Sequence, residues 1–306
     1  MAADKVMTMR DAVATYVQDG TTVALEGFSH LIPFAAAHEI IRQGRRNLTL
    51  CRMTPDIISD QLIAADCVTK LVASFFASGS AGSLHEIRRR IEKHDPVKLE
   101  VEEYSHYGMV CRYQAGAAGL PFFPLRSYAG SDLPTLNPQI RLVDDPYGEG
   151  SIYVVPPLNP DVTIIHAQRA DRSGNVQIWG IAGVQQEAVY AAKHAIVVVE
   201  EIVDDEVIRS DPSRTLVPSH AVDAVVVCPR GAHPSYAQGY YDRDCAFYRR
   251  WTAISKDRQA LRTWIEDWVL DVADHAAYLA KLGDDYWSDL EVAPRFSEAV
   301  NYGSRK

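Results

Sequence analysis

The chain has 306 residues, with 31 Lys and Arg against 40 Asp and Glu and a formal charge of −9. An apolar share of 47% beside 23% charged residues can bury a core and is too apolar for disorder. The acidic balance excludes general nucleic-acid binding, which needs clustered cations to displace phosphate counterions. No run approaches the roughly 18 unbroken apolar residues of a spanning helix, and the opening residues, with Asp4, Lys5 and Arg10, have neither signal nor anchor character. The expected location is therefore the cytoplasm. Cys51, Cys67, Cys111, Cys228 and Cys245 are well separated and odd in number, which fits reduced thiols better than disulfides or a zinc site.

In chain order, helical spacing over Asp11–Asp19 precedes a strand at Thr22–Leu25, and Pro33–Gln43 reads as a helix opened by a proline and closed before Gly44. A strand at Leu48–Cys51, a helix at Ile57–Ala65 and strands at Lys70–Ser74 and Leu99–Glu103 follow. Between the last two, Arg88, Arg89 and Arg90 stand between Glu86 and Glu92 and read as a solvated helix face. The segment from Leu125 to Pro157, with Pro134, Pro138 and Pro146, breaks the rhythm and predicts a long loop or β-meander. Strands at Val162–Ala167, His194–Val199 and Val222–Cys228 flank a helix at Glu187–Ala192. The unalternating run Ala195–Val199 predicts a strand covered on both faces. From Phe247 to Lys281, Trp251, Leu261, Trp264, Ile265, Trp268 and Tyr278 recur at helical intervals and read as core or subunit interface rather than a cofactor box. The expected fold is α/β, an open and largely parallel sheet flanked by helices over residues 1–245, with a C-terminal helical extension over 246–306 packed on the same domain.

Five segments hold chemistry-bearing residues. Glu26-Gly27-Phe28-Ser29-His30 leads from a strand into the helix opened by Pro33, where backbone N–H groups converge at the carboxyl edge of a sheet. It is either an oxyanion site or a tight β-to-α turn, and one glycine does not make a dinucleotide fingerprint. Ser78-Gly79-Ser80-Ala81-Gly82-Ser83 lets a ligand approach the backbone, with Ser83 and Glu86 placed for a capping box. Glu102 and Glu103 point to opposite faces of one strand and cannot act as a paired acid and base, while His106 reads as a loop residue. Asp171 to Asn175 suits a hydrogen-bonded turn, and Gly231 to Ser235 a binding loop at the sheet edge.

Together these segments resemble the alpha subunit of class I coenzyme A-transferases, in the branch of glutaconate CoA-transferase and related 3-oxoacid and 3-oxoadipate enzymes. The resemblance rests on Glu26-Gly27-Phe28 through Pro33, the Arg112 to Pro121 glycine-alanine stretch with Pro124, Asp161-Val162 through His166, Ala170-Asp171 to Gly174-Asn175-Val176, Glu200-Glu201-Ile202-Val203, and Gly231-Ala232-His233-Pro234. It implies a beta subunit of similar fold, an active site between the two chains, and a hetero-oligomer such as α2β2. It further implies that the beta subunit carries a nucleophilic glutamate, that catalysis passes through a glutamyl-CoA intermediate, and that coenzyme A is part of the substrate, with no resident cofactor and no metal. Gly27, Phe28 and Ser29 are then expected in the oxyanion region, and Ser78, Ser80, Glu103 and Gly116 near substrate. A related branch of ring-opening hydrolases acting on CoA thioesters is expected to carry a carboxylate directly before the Gly-Met that corresponds to Gly108-Met109, where this chain has Tyr107. That hydrolase, or a sugar-phosphate-binding protein of the same fold, is the alternative.

Overall fold

Aliphatic runs without polar alternation need cover on both faces, and in the computed structural model, which describes residues 3–77 and 82–292, they receive it. The first half contains α1 (Met9–Tyr16), β1 (Thr22–Glu26), α2 (Phe34–Arg42), β2 (Leu48–Arg52), α3 (Ile57–Ala64), β3 (Val68–Ala73), α4 (His85–Arg88), β4 (Glu100–Glu103) and α5 (His106–Ala117). Then come β5 (Phe123–Leu125), α6 (Leu133–Leu136), β6 (Arg141–Asp144) and β7 (Ser151–Val155). The second half supplies β8 (Val162–Ala170), β9 (Val176–Gln177), α7 (Gln185–Ala191), β10 (His194–Ile202), α8 (Asp205–Ser210), β11 (Thr215–Val217) and β12 (Ala224–Val227). The C-terminal helices are α9 (Cys245–Lys256), α10 (Arg258–Ile265) and α11 (His275–Leu282). Among the described residues no helix is long and apolar enough to cross a membrane.

The main sheet runs β4-β3-β2-β1-β8-β10-β12 with every neighbouring pair parallel, and β9 and β11 add antiparallel pairs beyond β8. The expected architecture is therefore present. Chain order reverses between β1 and β8, so the carboxyl ends of these two strands form the switch point at which open α/β sheets bind ligands. Alternation along β1 splits the core: Val23 and Leu25 pack toward α1, α2, α3 and the aromatic residues of α9 and α10, while Ala24 packs with Met109 and Tyr113 of α5 and Ala188 of α7. Trp251, Leu261, Trp264 and Ile265 are buried, which bears out the helical stripe read as core. Cys51, Cys67, Cys111 and Cys228 are buried free thiols.

Several local expectations need correction. The 125–157 segment does form strands, but in the order β5-β7-β6, so the last strand lies in the middle and the motif is no meander. His106, read as a loop residue, instead opens a helix that runs from His106 to Ala117. Ser105 caps it, its Oγ accepting from Gly108 N–H at 3.0 Å. Ser83 does not cap α4: Leu84 holds the cap position without a side-chain bond, and the Asp60 carboxylate accepts from the Glu86 and Ile87 N–H groups at 3.0 Å. The arginine run is not a uniformly solvated face either. Arg88 is exposed, whereas Arg90 is buried between Glu86 and Asp66, and Arg89 bonds Glu86 and the Ser255 carbonyl. These ties fasten the helix to the core and to α9.

Candidate active site

At the switch point β1 ends in Glu26, and the chain doubles back so tightly that a Cβ on Gly27 would lie 2.5 Å from the Leu31 carbonyl oxygen. Ser29 and Leu31 adopt left-handed conformations, with φ of 58° and 53°, a strain that persists only where the surroundings over-determine the turn. They do so from several sides. Leu31 N–H donates to the Tyr236 carbonyl, Ser235 Oγ donates to the Ser29 carbonyl, and Gly183 leaves room for Phe28. His30 is fully buried: its Nε2 accepts from Gln238 N–H at 3.0 Å, which leaves Nδ1 to donate to the Ile181 carbonyl at 3.0 Å. Burial pulls its pKa down to about 4 against that carbonyl, so the ring is neutral and structural.

Beneath the turn, Arg52 at the end of β2 donates to the Leu25 and Gly27 carbonyls and pairs with Asp56 at 3.2 Å. Asp56 also caps α3 by accepting from Ile58 N–H. Glu26 is 2% exposed, and one of its oxygens accepts from Tyr113 Oη at 2.8 Å and Met53 N–H at 2.9 Å. Burial pushes its carboxyl up to about 7, against the opposing pull of Arg52, Tyr113 and Met53 N–H.

In front of the turn lies a cleft of about 220 Å³. Phe28 and Ser29 of the turn line it together with Arg52, Thr54 and Asp56. Phe75, His106 and Arg243 enter from three further segments, and His106 Nε2 lies 3.1 Å from Thr54 Oγ1. Two guanidinium groups face one carboxylate there, and that carboxylate is committed to Arg52 and the α3 cap. The cleft suits an anion.

Of the site residues expected from sequence, Gly27, Phe28 and Ser29 meet at this turn. Ser78 and Ser80 lie outside the described residues. Glu103 is exposed and lines a separate groove of about 570 Å³ with Phe76, Arg88 and Leu136. Gly116 sits in α5, where a Cβ would be 2.3 Å from the Leu158 carbonyl oxygen, so its smallness serves packing. Burial favours a raised pKa for Glu102, but Lys70, Tyr104 and Arg112 override it and hold the carboxyl below its usual range. His233, expected in an edge loop, is fully buried between Tyr278 Oη and Asp244. Sequence reasoning missed Arg52, Thr54, Asp56 and Arg243. An arginine closing an apolar strand just before Pro55-Asp56 was a usable signal for the first; Arg243 offered none.

The coenzyme A transferase family model matches residues 6–228. The chain is 50% identical over 280 residues to one chain of the 3-oxoadipate CoA-transferase of Pseudomonas knackmussii, covering 92% of this chain and 99% of that protein. It is 37% identical to one chain of the glutaconate CoA-transferase of Acidaminococcus fermentans, covering 95% of each. The crystal structure of glutaconate coenzyme A-transferase from the same organism matches with a TM-score of 0.88 at 36% identity, covering 95% of this chain and 96% of that one. A cholesterol ring-cleaving hydrolase subunit of Rhodococcus jostii is 29% identical, over 92% of this chain and 94% of that protein.

Proposed function

The chain belongs to the coenzyme A transferase family, and from that membership we propose that it is the alpha subunit of a two-chain enzyme moving CoA between an acyl-CoA and a dicarboxylic acid of the 3-oxoadipate type. Its end-to-end similarity to one chain of a 3-oxoadipate CoA-transferase carries this reading. The cleft supports it, because among the described residues it holds no carboxylate free to act as nucleophile. Glu26 is enclosed and Asp56 is paired. On this reading a partner-chain glutamate attacks the thioester carbonyl and expels CoA as thiolate; the thiolate then attacks the glutamyl carbonyl of the resulting anhydride and releases the first acid. The acceptor carboxylate reverses the sequence. Coenzyme A is thus a substrate moiety, and no resident cofactor is required.

This chain contributes position and field. Gly27 keeps the β1 turn folded, Phe28 and Ser29 present it to the acyl group, and Arg52 holds the Leu25 and Gly27 carbonyls so that the turn does not yield as charge develops. Tyr107, 53% exposed, stands where the hydrolase branch is expected to carry a carboxylate, which weighs against hydrolysis.

The test is to co-purify the chain with its partner, incubate with an acyl-CoA, and treat with borohydride. The expected result is reduction of one glutamate on the partner chain, CoA transfer that requires an acceptor acid, and a solution mass corresponding to two copies of each chain. Release of free CoA at a rate independent of acceptor would overturn the reading in favour of a hydrolase, and transfer by this chain alone would overturn the two-chain reading.

A further inference from the structure

Arg243 follows β12 and precedes α9, beyond residue 228 where the family match ends, yet its side chain reaches the cleft at the β1 turn. The two arginines there differ in what they have left to give. Arg52 is 1% exposed and its Nη atoms are occupied by two backbone carbonyls and Asp56. Arg243 is half-buried and its guanidinium stands 3.8 Å over the Tyr248 ring; the Nε of each arginine is buried without a hydrogen-bond partner, so the contrast lies in exposure and in the Nη atoms. The nearby acids Asp56 and Asp244 are spoken for. Asp56 belongs to Arg52, while Asp244 accepts from Phe247 N–H and Tyr286 Oη and pairs with His233. Stacking on Tyr248 pre-orders a planar fork, and such a fork binds carboxylate bidentately at low entropic cost.

We infer that Arg243 is the specificity residue of this cleft, gripping the distal carboxylate of a dicarboxylic substrate whose other end lies at the Gly27–Ser29 turn. The inference rests on the proposed transferase reading. It goes beyond it by locating the choice between diacid and monoacid in a residue past 228, where the family model ends. Phe28 and Phe75 flank the cleft and suit the methylenes between the two ends, and the hydroxyl of Thr54 with His106 lies beside the same path.

The experiment uses the co-purified two-chain enzyme and compares Arg243→Met and Arg243→Lys with the parent. It measures kcat and KM for a six-carbon 3-oxo diacid and for the 3-oxo monoacid of equal length, and titrates adipate and hexanoate calorimetrically. Removing a charge-assisted contact should lower kcat/KM for the diacid about 10- to 150-fold, mostly through KM, with the monoacid within about twofold. Arg243→Lys keeps the charge without the fork and should fall between. Equal losses for both acids, or no loss, in an enzyme that still assembles with unchanged thermal unfolding would overturn the assignment while leaving the transferase reading standing. A parent that transfers CoA to the monoacid as well as to the diacid would overturn the dicarboxylate reading itself. If Arg243→Met fails to assemble, the Lys variant decides: an unchanged diacid-to-monoacid ratio there refutes the fork.

Discussion

Replacing Glu26 by Gln turns the buried carboxyl of the β1 turn into a direct test of the electrostatics. The group is 2% exposed, and burial lifts its carboxyl from 4.5 to about 7 even though Arg52, Tyr113 and Met53 N–H favour the ionised form and Asp56 alone joins in opposing it. A raised acid pKa means that the folded state holds its proton more tightly than the unfolded chain. Stability from this group is therefore fully present below about pH 4.5, declines as pH rises, and is lost above about 7. At about 1.4 kcal/mol per unit, the loss across that window is about 3 kcal/mol. Glutamine keeps an oxygen to accept from Tyr113 and Met53 and cannot ionise. The assay is denaturant unfolding of parent and Glu26→Gln in the same assembly state and at fixed concentration, from pH 4.5 to 8. The parent should lose about 3 kcal/mol relative to the variant across the range, with the change centred between pH 5 and 7. A pH-independent difference, or a parent that gains on the variant as pH rises, would refute the reasoning and mean that Arg52 outweighs burial.

Two further substitutions probe the packing that positions the site. At Gly108 an added Cβ would lie 1.8 Å from Tyr128 Oη and 2.9 Å from its Cζ, so Gly108→Ala should cost about 1–3 kcal/mol in unfolding free energy despite its better helix propensity. The double variant with Tyr128→Phe should recover part of that cost; no recovery would show that the tyrosine oxygen is not the obstacle. Trp251 Nε1 donates to the buried Asp60 carboxylate at 3.0 Å, and burial already pushes that acid up to about 6 against its backbone and indole donors. Trp251→Phe should therefore cost about 1–3 kcal/mol at pH 8, where the carboxylate needs its donors, and less at pH 5. Equal losses at both values would count against this account.

The parallel core was legible because its strands are unbroken β-branched runs, as in Ala195–Val199, which only burial on both faces tolerates. Helix α5 was hidden because Gly108 and Gly116 look like turn residues, and only the tertiary structure shows Tyr128 Oη and the Leu158 carbonyl pressing on them. The capping box at Ser83 and Glu86 failed for a similar reason. Asp60, far back in the chain, supplies the acceptor that the serine would have provided, and Glu86 turns to Arg89 and Arg90 instead. The turn at Gly27–Ser29 was readable from a strand, a glycine and a helix start in sequence. Its partners were not, since pairing of Ala24 with Cys51 is what brings Arg52 under Gly27.

That placement gives a physical reason for the proposed division of labour between two chains. A carboxylate built into this cleft would stand in the field of Arg52 and Arg243 and be captured as an ion pair, which is the fate of Asp56. A paired carboxylate is a poor nucleophile, and on the proposed reading pairing it with Arg243 would take that guanidinium from the substrate. Glu26 escapes capture only by burial, where Tyr113 and Met53 occupy one of its oxygens and no substrate carbonyl reaches it. On the proposed mechanism the nucleophile arrives on the partner chain from outside this arrangement, so Arg243 stays committed to the substrate and the glutamate stays free to attack. On the proposed reading the acidic chain, with its net charge of −9, meets an anionic substrate with two arginines at one cleft, Arg52 at the end of β2 and Arg243 before α9.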